Sequence, residues 1–149
     1  MHRIEKLQDE QLVSDLLYGQ AQPMGGSNLD DARLIQIAEA EFAGRAFCIV
    51  RNWMVLDIML PAEELGELTA AGRYPMVLIA HDVAYDSDVT KQYQAPLATD
   101  YGQEFYGCFF KVGAKMFVLA GRGARRYAAK PAWEALKQTM AEQRARGST

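Results

Sequence analysis

Residues 45–60, RAFCIVRNWMVLDIML, decide how the sheet of this protein is built. The stretch holds two apolar runs rich in β-branched and aromatic residues, AFCIV and WMVLDIML, separated by Arg51-Asn52. Such runs favour extended backbone, and asparagine at their junction suits a tight turn. The stretch therefore reads as two strands joined by a turn at about Arg51-Asn52, with one strand bent at that point as the alternative. Residues 74–88, YPMVLIAHDVAYDSD, read as the next strand. Both of its faces are apolar up to Ala80, so it is expected to be central and covered on both sides. EFYGCFF (104–110) and KMFVLAG (115–121) are two more strands, and the glycine of the intervening KVGA suits a hairpin.

Helical spacing appears on either side of this block. Ile4, Leu7, Leu12, Leu16 and Leu17 predict a helix over 4–18, followed by a loop at GQAQPMGGS (19–27). LDDARLIQIAEAEF (29–42) predicts a second helix capped by Ser27 or Asn28, with Leu29, Ala32, Ile35, Ala38 and Phe42 as its buried stripe. Pro61 is placed to open a short helix, PAEELGELTAAG, and Pro131 a final one in which Trp133, Leu136 and Met140 share a face. Strands grouped in the middle and helices at the ends predict an α+β fold. Short connections favour a mostly antiparallel sheet of about five strands, with helices at the N- and C-termini and one short helix between strands.

The chain has 149 residues, half of them hydrophobic, a size and composition that suit one globular domain over 1–149 with 1–3 and 144–149 frayed. Its longest apolar runs are too short or too interrupted to span a bilayer. The opening MHRIEKLQDEQL carries acids and glutamines where an export signal needs an apolar segment, so a cytoplasmic location without membrane contact is expected. Charge is segregated. Residues 1–104 carry 7 Lys/Arg against 17 Asp/Glu, and residues 105–149 carry 9 against 2. Such asymmetry points to a charged partner or to two segments that neutralise each other on folding.

Few groups are available for chemistry. One internal histidine and two isolated cysteines make no recognised metal motif, so neither metal nor cofactor is expected. The four serines, Ser14, Ser27, Ser87 and Ser148, include no nucleophile elbow. His81 and Asp82 at the end of the central strand, with Cys108, are the one constellation a small enzyme would use. Adjacent strand residues point to opposite faces, however, so His81 reads better as a group at the place where a buried strand reaches water. GRGARRYAAK (121–130) reads as a basic loop whose Arg122, Arg125, Arg126 and Lys130 suit an anion or nucleic acid, with Tyr127 able to stack on a base or simply to cover the sheet. It lacks the third glycine of a dinucleotide fingerprint and the G-K-[ST] ending of a phosphate loop.

Together, NLDDARLIQIAEAEF, AFCIVRNWMVLDIML, YPMVLIAHDVAYDSD and MFVLAGRGARR resemble a family of small uncharacterised proteins of pseudomonads and their phages and prophages. The resemblance spans residues 28–127 and is strongest at C-I-V-R-x-W around Cys48, Arg51 and Trp53, and at A-H-D-V-x-x-D-S over 80–87. It implies a bacterial cytoplasm and a mobile-element origin, and it assigns no activity. The expected function is non-catalytic binding to a host protein, as an inhibitor or modulator acting through the acidic helices or the basic GRGARR stretch. Nucleic-acid binding through 121–130 is the alternative, and a small enzyme built on His81 the third reading.

Overall fold

A computed structural model describes residues 10–17, 21–88 and 95–147. Within them an α+β architecture has four helices and eight strands. Helix α1 (10–17) leads to β1 (Gln22–Gly25), α2 (Asp31–Glu41) and the long β2 (Ala46–Met59). Then come α3 (Ala62–Ala70), β3 (Met76–Asp86), β4 (Leu97–Ala98), β5 (Glu104–Tyr106) and β6 (Phe109–Val112). The chain continues through β7 (Lys115–Leu119) and β8 (Arg122–Ala129) to α4 (Lys130–Gly147).

The stretch at 45–60 is one bent strand, not a hairpin. Asn52 takes a positive φ of 52° and turns the backbone without reversing it, a conformation asparagine tolerates better than most residues. Along one edge β2 pairs antiparallel with β3. Its other edge is divided between two parallel neighbours, β7 along residues 46–50 and β8 along residues 53–59. The sheet is therefore mixed and eight-stranded, where a mostly antiparallel sheet of about five strands was expected.

Curling brings the sheet back on itself. Beyond β3, the segment 97–102 bonds to β3 at Leu78 and Met76 and to Tyr74 just before it. Gln103 and β5 then bond to β6, β6 pairs with β7, and β7 returns to β2. Side chains of alternate residues fill the inside of this ring: Cys48, Val50, Val55, Leu78, Phe110, Phe117 and Leu119 are all fully buried in one cluster. The inward face is kept across the kink because Arg51 and Asn52 shift the alternation by one, so Trp53 joins the interior.

Two helical layers cover the outside. Trp133, Leu136 and Met140 of α4, with Val13 and Leu16 of α1, pack on Leu56, Ile58, Val77 and Ile79. Leu34 and Ala38 of α2, with Phe42 at its C-cap, pack on Phe47, Ile49, Met116 and Val118. Of the expected stripe Ala38 and Phe42 are buried and Ile35 packs partly, joined by Leu34. Ala32 is exposed, and Leu29 lies exposed before the helix, which Asp30 rather than Ser27 or Asn28 caps by accepting from the Arg33 amide. Met76 to Ala80 are buried, and from His81 onward β3 reaches the surface, as its sequence indicates.

Other expectations need correcting. The loop predicted over 19–27 contains β1, and the strand predicted over 104–110 splits into β5 and β6 at Gly107, whose φ is 56°. Cys108 consequently lies in a turn, half-buried. The basic segment 121–130 is not a loop: residues 122–129 form β8, held between β1 and β2. Residues 144–147 are helical, while residues 1–3, 148 and 149 and the ends of the first predicted helix fall outside the described residues.

Candidate functional site

Folding joins the two oppositely charged segments of the sequence through ion pairs. Lys115 pairs with Asp86 at 2.6 Å, Arg125 with Asp57 at 2.7 Å and Lys130 with Glu64 at 2.8 Å, each joining the basic segment to the acidic one. Two of these pairs mark the ends of the ring. Asp86, opposite Cys48, and Lys115, opposite Ala46, flank the start of β2, and both side chains are nearly buried. Asp57 and Arg125 stand at the opposite end of β2, on the same inward parity as Val55. There the geometry is a fork: Arg125 Nε donates to Asp57 Oδ2 at 2.7 Å and Nη2 to Oδ1 at 2.8 Å. The carboxylate holds the Arg125 pKa above its ordinary value through these hydrogen bonds. Below the fork lies an aromatic floor, with the guanidinium 5.2 Å from the centre of the Phe105 ring.

A groove opens on each side of this fork. One, of about 520 Å³, is walled by Tyr74, Met76, Glu104, Phe105 and Tyr106. The other, of about 590 Å³, is walled by Gln22, Met24, Arg126 and Tyr127. Asp57 and Arg125 line both. Three tyrosines stand at the rims with most or half of their surface in water: Tyr127 is 73 % exposed, Tyr74 54 % and Tyr106 52 %. A rigid charged pair surrounded by exposed tyrosines is the strongest concentration of binding-type side chains among the described residues.

The basic residues named from the sequence do not converge. Arg125 faces the ring interior. Arg126 points the other way, and its Nη1 donates to the carbonyls of Asp15 and Leu16 at the end of α1, where a helix dipole favours a cation. Lys130 is held by both oxygens of Glu64 on α3, and Arg122 is exposed at the start of β8. Strand alternation separates what a loop would have let gather.

His81 and Cys108 are also kept apart. His81 is exposed on the outer side of β3, beside Ile79, Met54 and Leu17. Cys108 packs against the interior cluster, and burial raises its pKa. Asp82 accepts a hydrogen bond from the Asn52 amide across the kink. Burial, reinforced by Asp86, pushes the Cys48 thiol up to about 12. Among the described residues no three His, Cys, Asp or Glu side chains are grouped as metal ligands. No helix among them is long and apolar enough to cross a membrane.

Sequence reasoning missed Asp57, Tyr74, Phe105 and Tyr106. They come from β2, the β3 approach and β5, and only the curl of the sheet unites them with Arg125. Tyr127 was singled out as an aromatic among arginines, and it stands exposed on β8. A family model, a domain of unknown function (DUF6957), matches residues 24–133. The chain belongs to the DUF6957 family. The matched region runs from β1 to Trp133, so it includes every strand of the ring and every residue of the fork and its rims. No curated protein and no solved structure matches the chain.

Proposed function

We propose that this DUF6957 protein acts by non-catalytic binding of a host protein in the bacterial cytoplasm, as an inhibitor or modulator of the phage or prophage accessory type. The docking face is the end of the ring that carries the Asp57–Arg125 fork and the three exposed tyrosines. That cluster is the observation on which the reading rests. Tyrosine and arginine give large contact area for little lost conformational freedom, and they dominate the energetics of protein interfaces. Arg125 is immobilised by a bidentate pair before any partner arrives, so its ordering entropy is already spent on folding.

Nucleic-acid binding through 121–130 draws less support. Arg125, Arg126 and Lys130 already satisfy carboxylates or helix-end carbonyls of the same chain. A phosphate backbone would have to compete with those partners.

The test is capture from a bacterial lysate, with and without nuclease, by the wild-type protein and by a Tyr74→Ser/Tyr106→Ser/Tyr127→Ser variant whose fold is verified by circular dichroism. A protein that survives nuclease and is lost with the variant is the expected result. Capture that vanishes with nuclease, or that persists unchanged in the folded variant, overturns it.

A further inference from the structure

Resting on that reading, we propose that the open edge of the Arg125 guanidinium receives a side-chain carboxylate, from Asp or Glu, of the partner protein. The site lies on one face of the sheet. Strand register sets Gln22 beside Arg125, Arg125 beside Val55 and Asp57 beside Tyr127, so these side chains share the inward face. Met59 follows two residues beyond Asp57 on that face and is exposed. Three observations give the ligand its chemistry. First, the fork occupies one edge of the guanidinium only. Nε and Nη2 donate to Asp57, and Nη1 makes no hydrogen bond among the described residues. Buried polar atoms without a partner are confined, among those residues, to Trp53 Nε1 and Arg126 Nε, so Nη1 faces solvent. A guanidinium carries five N–H donors in one plane, and a side-on carboxylate leaves the Nη1–Nη2 edge for a second pair of oxygens. Second, that edge is positioned before a ligand arrives, by Asp57 on one side and by the Phe105 ring 5.2 Å from the guanidinium. Third, the surrounding charge is positive. Residues 22–25 and 122–129 hold three arginines and no acid. Asp57 balances Arg125, whereas Arg126 donates to carbonyls, which leave its charge in place, and Arg122 has no carboxylate partner among the described residues. Both project to the other face of β8, and their field reaches the groove. Of the nearby acids, Asp15 lies on that other side, at the α1 end that Arg126 reaches, and accepts from Gln11. Glu104, beside Lys111, is on the opposite face of β5 from Phe105.

A carboxylate is favoured over a phosphate because the open edge presents two parallel N–H groups, which match two oxygens, while Asp57 next to it opposes a dianion. A polypeptide is favoured over a small free acid because the groove, of about 590 Å³, continues past Gln22 and Met24, and because Tyr127 and Met59 stand exposed on the same face for the residues flanking the carboxylate to cover.

The experiment uses the full chain labelled with ¹⁵N, read at the Arg125 Nε–H and at the backbone amides. The probes are acetyl-Gly-Ser-Glu-Gly-Ser-amide, the same peptide with glutamine or arginine in place of glutamate, acetate and inorganic phosphate. Glutamine keeps the shape and removes the charge. The glutamate peptide should shift the Arg125 Nε–H and the amides of Gln22 and Tyr127 saturably, with the glutamine peptide weaker by about fivefold or more. Acetate, a carboxylate without a chain, should move the same signals with lower affinity. Gln22→Glu, a change at an exposed edge-strand position, sets a competing carboxylate beside the open edge and should weaken the glutamate peptide by about fivefold, whereas Gln22→Ala should retain binding. Equal shifts from the glutamine peptide, a preference for the arginine peptide, acetate or phosphate binding as tightly as the glutamate peptide, indifference to Gln22→Glu, or no shift from any probe would each overturn the assignment. If the tyrosine variant loses lysate capture while the glutamate peptide does nothing, this inference falls and the docking face stands. If the peptide binds as stated while capture persists in that variant, the carboxylate site stands and the docking face falls. If both fail, both fall.

Discussion

At Gly123 the backbone of β8 passes so close to Trp53 that an added Cβ would lie 2.3 Å from the indole ring. No side chain fits there without displacing a residue that is almost fully buried. Gly123→Ala should therefore destabilise the protein by about 1–3 kcal/mol in urea unfolding, the usual cost of overpacking. The penalty should shrink in a Trp53→Leu background, where the ring is gone. Cys48 supplies a second test at this scale. Its thiol rises from an ordinary value of 9.0 to about 12 in the fold, so the native state keeps a proton that the unfolded chain releases between those values. Stability from this group is complete below pH 9 and falls as pH climbs toward 12, with a slope of up to about 1.4 kcal/mol per pH unit. Urea unfolding at pH 9 to 11 should show that fall in wild type relative to Cys48→Ala; identical slopes would refute the assignment.

At the scale of elements, β2 is held on both sides by charge as well as by hydrogen bonds. The Asp86–Lys115 pair ties β3 to β7 across β2, with side chains 4 % and 11 % exposed. Removing one partner leaves the other charge in a nearly dry setting, so Lys115→Met should cost about 3 kcal/mol. Asp86→Asn/Lys115→Met should cost clearly less than the two single changes added together, and a double-mutant cycle in urea measures the difference. Most of these elements were legible in the residues: the apolar run 76–80 announced a strand buried on both faces, and Trp133, Leu136 and Met140 announced the inner side of α4. Residues 45–60 were less so. A hairpin and a kinked strand share the same composition, and the choice between them rests on Asn52 and on the parallel strands that arrive much later. The basic segment misled because glycine and arginine suggest a loop. Gly123 instead makes room for Trp53, and the arginines find acceptors on β2 and α1.

Over the whole molecule, stability is unevenly distributed. Val50, Val55, Leu56, Leu78 and Phe117 have no measurable exposure, whereas α3 buries none of its residues. Native-state hydrogen exchange should find the amides of β2, β3 and β7 opening only with global unfolding, and those of α3 opening at lower free energy. Uniform protection across α3 and β2 would contradict this. The candidate site shows the same limit of sequence reading at larger scale. Asp57, Tyr74, Tyr106 and Arg125 carry no shared motif, and it takes a closed ring of strands to seat them together. That ring also has a history. Both parallel neighbours of the kinked strand are encoded about seventy residues downstream of it, so a nascent chain must leave one edge of its central strand bare until the final third emerges from the ribosome. Truncations ending before β8 should accordingly be recovered as aggregates, and the exposed edge is where a chaperone would find its hold.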